Sequence, residues 1–176
     1  MTNHMLIVFL DFDGVLHTLF EIDEETGLSR TYDGPLFVHA PVLVDLLRPH
    51  LASIEIVISS TWGRKRTLDE LRALLPDELA VRVVDAVHHR LPRLEYFNAG
   101  DSHLISRWAE IEWYRRNILP KLGERWIATD DDDYNWPEAK RRNLAFCHRD
   151  LGDPASQQEV RDALTRFAPT GAEITS

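Results

Sequence analysis

Residues 5–17 read MLIVFLDFDGVLH, and this stretch decides the fold. The run Leu6-Ile7-Val8-Phe9-Leu10 is apolar throughout, too short for an ordinary helix, and rich in β-branched and aromatic side chains. It therefore predicts a strand buried on both faces, central in a parallel sheet. Asp11 and Asp13 follow at alternate positions, and next comes Gly14, which can enter backbone conformations closed to other residues. Open α/β sheets bind ligands outside the carboxyl ends of their strands, so this corner is the candidate site. Two carboxylates at the end of a buried apolar strand call for a compensating cation, and a divalent metal is the natural one. A turn directly after Asp11 lets the pair divide the work. Asp11 presents an oxygen to an electrophile, the backbone beside Asp13 faces the metal, and the Asp13 side chain serves a leaving group as acid and base.

Composition bounds the rest. A chain of 176 residues, with no internal repeat, low-complexity segment or evident linker, fits one domain over residues 1–176 with a core that needs no staples. Cys147 is the only cysteine, so no disulfide forms within the chain and a reducing compartment is expected. The start of the sequence does not read as a signal segment and no apolar run approaches membrane-spanning length, which gives a cytoplasmic protein with no membrane partner as the expectation. A formal net charge of -9 opposes broad affinity for nucleic acid but leaves room for a local basic pocket.

Working outward from the DFDG corner, residues 18–40 alternate turn formers with short apolar pieces and predict a small flap. Pro41 opens an amphipathic helix through Leu47, and a second strand, Ile54–Ile58, runs into Ser59-Ser60-Thr61-Trp62. Thr67-Leu68-Asp69-Glu70 is a capping box for a helix that stops at Pro76, and Val81–Val87 reads as a peripheral strand. Arg64, Lys65, Arg66, Arg90 and Arg93 bring positive charge near the hydroxyl cluster, as candidate substrate contacts. His88 and His89 lack zinc-site spacing and read as rim residues. The longest helical pattern spans about 101–119, with Asp101 or Ser102 as cap. Trp126–Thr129 is a further strand, and it ends in four aspartates, Asp130 to Asp133. Asp130 and Asp131 supply the second source of carboxylate for a metal shared with Asp11 and Asp13. Magnesium suits such a site, because it needs few protein oxygens and keeps several waters. A last strand over 143–147 and a helix introduced by Asp153-Pro154 and Ser156-x-x-Glu159 complete a doubly wound, Rossmann-like α/β order with no large cap.

The strand followed by DxDGVL, the strand-end hydroxyls and the later acidic run resemble the haloacid dehalogenase-like (HAD) superfamily of phosphohydrolases. The resemblance implies a magnesium-dependent phosphatase in which Asp11 becomes a transient aspartyl phosphate and Asp13 protonates the leaving oxygen, then activates water. It implies that Ser59 or Ser60 binds the phosphoryl group and that a cation on the helix before the fourth motif neutralises it. Arg107 is the choice, with Arg115 and Arg116 as alternatives and with Arg where a Lys is commoner. Ser59-Ser60-Thr61-Trp62, RWAEIEW over 107–113 and the WIATDDD strand are similar to the HAD phosphatase domains associated with Swiss-army-knife RNA-repair proteins, whose inferred substrates are phosphorylated nucleic-acid ends. A small-molecule HAD phosphatase and an idle HAD-fold binding module are the alternatives. A receiver domain does not fit, because no middle strand ends in a suitable aspartate.

Overall fold

A computed structural model describes residues 5–22, 29–31, 33–92 and 106–168. Five strands, β1 (Leu6–Leu10), β4 (Ile54–Ile58), β5 (Val83–Ala86), β6 (Trp126–Asp130) and β7 (Leu144–Phe146), form a parallel sheet in the order β5-β4-β1-β6-β7. The strand of the opening motif is central, as its unbroken apolar run predicts. All five of its side chains are buried, each contributing roughly 1.5–3 kcal/mol against exposure to water. Alternation sends them to opposite faces. Leu6, Val8 and Leu10 pack in the layer with α1 (Ala40–Leu47) and α7 (Pro154–Phe167), while Ile7 and Phe9 pack with Ile111 and Tyr114 of α5 (Arg107–Asn117).

Register fixes the site. Leu10 pairs with Ile58 on one side and Thr129 on the other. The next residue of each strand is therefore Asp11, Ser59 or Asp130, so a carboxylate, a hydroxyl and a second carboxylate stand in one row across the sheet edge. Main-chain bonds carry the ladder that far, with Ser59 N–H donating to Leu10 O at 2.8 Å and Asp11 N–H to Thr129 O at 3.1 Å.

The flap is an antiparallel hairpin of β2 (Phe20–Ile22) and β3 (Ser29–Thr31). Both of its roots meet one carboxylate. Thr18 Oγ1 donates to Asp150 Oδ2 at 2.5 Å, and His39 Nε2 lies 3.3 Å from Asp150 Oδ1.

Several boundaries differ from the sequence expectations. The Thr67–Glu70 capping box is present, but its helix, α2 (Leu68–Arg72), gives way to tight turns before Pro76, and α3 (Asp77–Ala80) follows. The peripheral strand ends at Ala86, and Val87–Arg90 turns into a short helix, α4. The long helix starts at Arg107 with Ser106 as its cap, accepting from Ala109 N–H; the caps expected at Asp101 or Ser102 lie outside the described residues. Between the last two strands lies a short helix, α6 (Glu138–Arg141). At α7 the cap is Asp153, whereas Ser156 is buried and accepts from His148 N–H. No helix among the described residues is long and apolar enough to cross a membrane.

Candidate active site

Asp11 is the first residue past β1, and its backbone turns at once. Phe12 N–H donates to Asp11 Oδ1 at 2.8 Å, and Gly14 follows with φ +67°, in the left-handed region. Glycine is needed there for a second reason. A Cβ on residue 14 would fall 2.1 Å from Asp131 Oδ2, so the missing side chain is what lets the loop after β6 close over the loop after β1.

That closure gathers three carboxylates. Asp11, Asp130 and Asp131 each place an oxygen within 4.8 Å of the other two. Asp11 and Asp130 are buried, with relative exposures of 4% and 0%. Burial, reinforced by the charge of Asp11, holds the Asp130 carboxyl well above the usual carboxylate range and pushes Asp131 up to about 6. The group is short of positive charge, and Asp130 Oδ2 has no hydrogen-bond partner among the described residues although it is fully buried. Three hard oxygen donors, one of them orphaned, suit a magnesium-like cation.

Arg107 partly fills the deficit. It is the first residue of α5, so the start of the helix aims it at the row of strand ends. Its guanidinium approaches Asp11 at 3.4 Å and Asp130 at 2.9 Å, and donates to Glu110 at 2.8 Å. The 2.9 Å approach through Nε is poorly aligned, leaving both Nε and Asp130 Oδ2 without a hydrogen bond. Burial opposes the Arg107 charge, but Asp11, Asp130 and Glu110 together outweigh it and raise its pKa. Glu110 is itself buried; desolvation pushes its carboxyl up against the pull of Arg107 and Arg64.

Asp13 stands apart from the acidic group. Its carboxylate accepts from Trp62 Nε1 at 3.1 and 3.0 Å, one distance to each oxygen, and Asp13 Oδ1 lies 3.0 Å from His17 Nε2. Ser59 and Ser60 are both buried but differently employed. Ser60 caps the turn Thr61–Arg64, with its Oγ at 3.5 Å from Trp62 N–H, whereas Ser59 Oγ has no partner among the described residues. A buried, unsatisfied hydroxyl next to Asp11 in the strand register is a ready donor for a phosphoryl oxygen.

The basic residues are not gathered into one free surface. Arg64 reaches Glu110 at 3.3 Å and donates through Nε to His88 at 3.0 Å, and Arg90 is paired with Asp85 at 2.8 Å. Arg66 lies over the Trp62 ring at 4.2 Å, Lys65 is exposed, and Arg93 lies outside the described residues. Arg115 and Arg116 pair with Glu112, away from the acidic group.

Three contributors escaped the sequence reading: Glu110, His17 and Trp62. Glu110 follows Arg107 at i+3 on one helix, a spacing that brings side chains together. His17 follows Asp13 by four residues across a tight turn, and Trp62 carries an N–H that a half-buried tryptophan must satisfy.

Comparison with curated proteins yields no match. Over residues 7–152 the sequence does match the family described as "HAD domain in Swiss Army Knife RNA repair proteins", and with the parallel sheet and the strand-end aspartates in the same span, the chain belongs to that HAD family.

Proposed function

We propose that this HAD-family chain is a magnesium-dependent phosphomonoesterase that works through Asp11 and prefers phosphorylated nucleic-acid ends. The observation that carries the reading is the separation of the two aspartates. Asp11 sits among Arg107, Asp130 and Asp131, while Asp13, two residues on, faces Trp62 and His17. This separation supports a nucleophile's role for the carboxylate beside positive charge and a proton-transfer role for the other.

Chemistry follows from these positions. An Asp11 oxygen attacks phosphorus; the new P–O bond forms as the bond to the leaving oxygen breaks, and that oxygen takes the electron pair and a proton from Asp13. Water then attacks phosphorus, Asp13 takes the water's proton, and the bond to Asp11 breaks, releasing phosphate and restoring both carboxyl groups. Ser59 Oγ donates to a phosphoryl oxygen without adding charge. Arg107 offsets the charge of the nucleophile and the transferred group. Asp11, Asp130 and Asp131 would hold the metal, which when bound neutralises phosphoryl oxygens as a Lewis acid.

Support for a polymer end comes from the family description, which names RNA repair proteins. It also comes from the small hairpin flap and from Lys65 and Arg66 next to Trp62. A site with few walls gives a small metabolite little to bury against, so affinity must come from the rest of a chain. The test compares 5′- and 3′-phosphorylated oligonucleotides with sugar phosphates, nucleotides and an aryl phosphate, each with added magnesium. The proposal expects an oligonucleotide end to have the highest kcat/KM and to lose it as salt rises. A free metabolite that outperforms every oligonucleotide at all salt concentrations replaces the polymer with a small-molecule substrate, and no hydrolysis across the panel makes the chain a binding module.

A further inference from the structure

We propose that His17 and Trp62 are the positioning residues of Asp13, forming a two-armed clamp that aims its carboxyl group at the leaving oxygen. The inference rests on the reading of Asp13 as acid and base.

Both arms end on the same carboxylate and come from separate parts of the chain. Trp62 Nε1 lies 3.1 Å from Oδ1 and 3.0 Å from Oδ2, sharing its single hydrogen between the two oxygens, and His17 Nε2 lies 3.0 Å from Oδ1. An indole N–H can only donate, so the direction of that bond is settled by the residue type. Imidazole can donate or accept, so the bond to His17 survives wherever the proton of the pair resides. Two neighbouring rings, 6.1 Å apart, thus hold the carboxyl group, and the Asp13 side chain is still 27% exposed.

The surroundings show what these residues are for. The His17 side chain is only 3% exposed, and its Nδ1 is buried with no partner among the described residues, where Asp13 is its polar contact. A residue placed merely to fill that space would be apolar, because an unpaired buried nitrogen is costly. Trp62 is braced in turn. Its ring meets Phe37 at 5.3 Å and Phe12 at 6.0 Å, edge to face, and carries the Arg66 guanidinium 4.2 Å above it. Phe37 sits at φ 59°, a left-handed conformation that is strained for a bulky side chain, and its ring also packs 5.3 Å from His17. Strain at the foot of the flap is thus held in place by the same aromatic cluster that fixes both arms.

Positioning of an acid predicts a particular kinetic signature. An alkyl phosphate has a poor leaving group and needs the proton, whereas a phosphate of an acidic phenol hardly does. Trp62→Phe and His17→Phe keep the rings and remove the N–H. With magnesium present, each should lower kcat/KM, which reports transfer to Asp11, roughly 10- to 100-fold on an alkyl phosphate, a part of what proton donation contributes, and less than about 3-fold on the aryl phosphate, while kcat falls on both because Asp13 also serves the attack of water. His17→Gln, which restores a donor, should recover most of the alkyl activity.

A direct readout guards against variants that fold poorly. The Trp62 indole N–H resonance, assigned by its loss in Trp62→Phe, should move and exchange faster in Asp13→Ala. Equal losses in kcat/KM on both substrates, or an indole resonance indifferent to Asp13→Ala, would overturn the clamp while leaving the phosphatase intact. A wild-type protein inactive on both substrates overturns the proposed function and the clamp with it, a result that cannot be confused with equal losses in the variants.

Discussion

Arg107 and Asp11 face each other at 3.4 Å beneath the surface, a cation from the start of a helix set against a carboxylate from the end of the central strand. The pair belongs to a longer chain of charge, since Arg107 also contacts Asp130 and Glu110, and Glu110 contacts Arg64. Only Arg64 in that series is substantially exposed, at 53%. Asp11→Asn removes the attacking carboxylate while keeping its size. The proposed mechanism expects kcat to fall by at least about 10⁴-fold on every phosphomonoester, as happens when a covalent nucleophile is lost. Retention of activity, measured with phosphate release at saturating substrate, would exclude covalent attack by Asp11.

Arg107→Met should cost stability as well as rate. Removing one member of a buried ion cluster typically destabilises by about 3–5 kcal/mol, because the charges left behind lose their partner. Added magnesium should recover part of that loss, since an ion can offset Asp11 and Asp130 but has no reason to reach Glu110. Denaturant melts of both proteins, with and without magnesium, measure the difference. Arg107→Lys keeps the charge among the carboxylates, so it should fold near wild type, but it gathers its donors on one nitrogen in place of a planar fork and should lose roughly 10- to 100-fold in kcat.

Gly14→Ala probes the closure between the two acidic loops. Its methyl group would meet Asp131 Oδ2 at 2.1 Å, and the backbone at φ +67° disfavours any side chain. Asp131 must be displaced, so the variant should show a smaller magnesium-induced rise in Tm than wild type, beyond about 1–2 kcal/mol of backbone strain. Asp131→Asn should weaken the magnesium response without that strain.

His88 gives a pH signature. Its side chain is 3% exposed and accepts from Arg64, and burial, with Arg64 and Arg107 nearby, brings its pKa down to about 4 from 6.5. The unfolded chain therefore takes up a proton before the folded one does. The stability this group contributes is complete above the unfolded value and is lost as pH falls from about 6.5 towards 4, at most about 3 kcal/mol in all. Glu110, Asp130 and Asp131 shift upward and favour the folded state at low pH, so the raw profile mixes opposing slopes. The difference between wild type and His88→Gln isolates the histidine: the gap in unfolding free energy should narrow across that window.

Much of the site was legible in the sequence because single elements carry it. The apolar run before Asp11 dictates a central strand, and the aspartates after Trp126–Thr129 belong at the end of another. Parallel pairing then has few ways to avoid bringing Asp11 and Asp130 together. The family pattern, not periodicity, pointed to Arg107, which lies 3.4 Å from Asp11. Contacts between distant segments were harder to read. Nothing local says that the indole of Trp62 reaches back 49 positions to Asp13, or that Arg64 pairs with Glu110. The short helices after Ala86 and before Leu144 were missed because four-residue turns carry too little periodicity to register.

The shared footing of the hairpin on Asp150 has a consequence for how such a protein can diversify. The chain leaves the sheet edge at Thr18 and returns at His39, and both residues contact the same carboxylate, so the two ends of the excursion are already side by side. Lengthening a loop whose ends are pinned together adds only slowly to its entropic cost, about 0.6 kcal/mol for each doubling. Asp150 therefore works as a mooring: a longer or differently shaped insert between Thr18 and His39 need not disturb the strand ends that carry Asp11, Ser59 and Asp130.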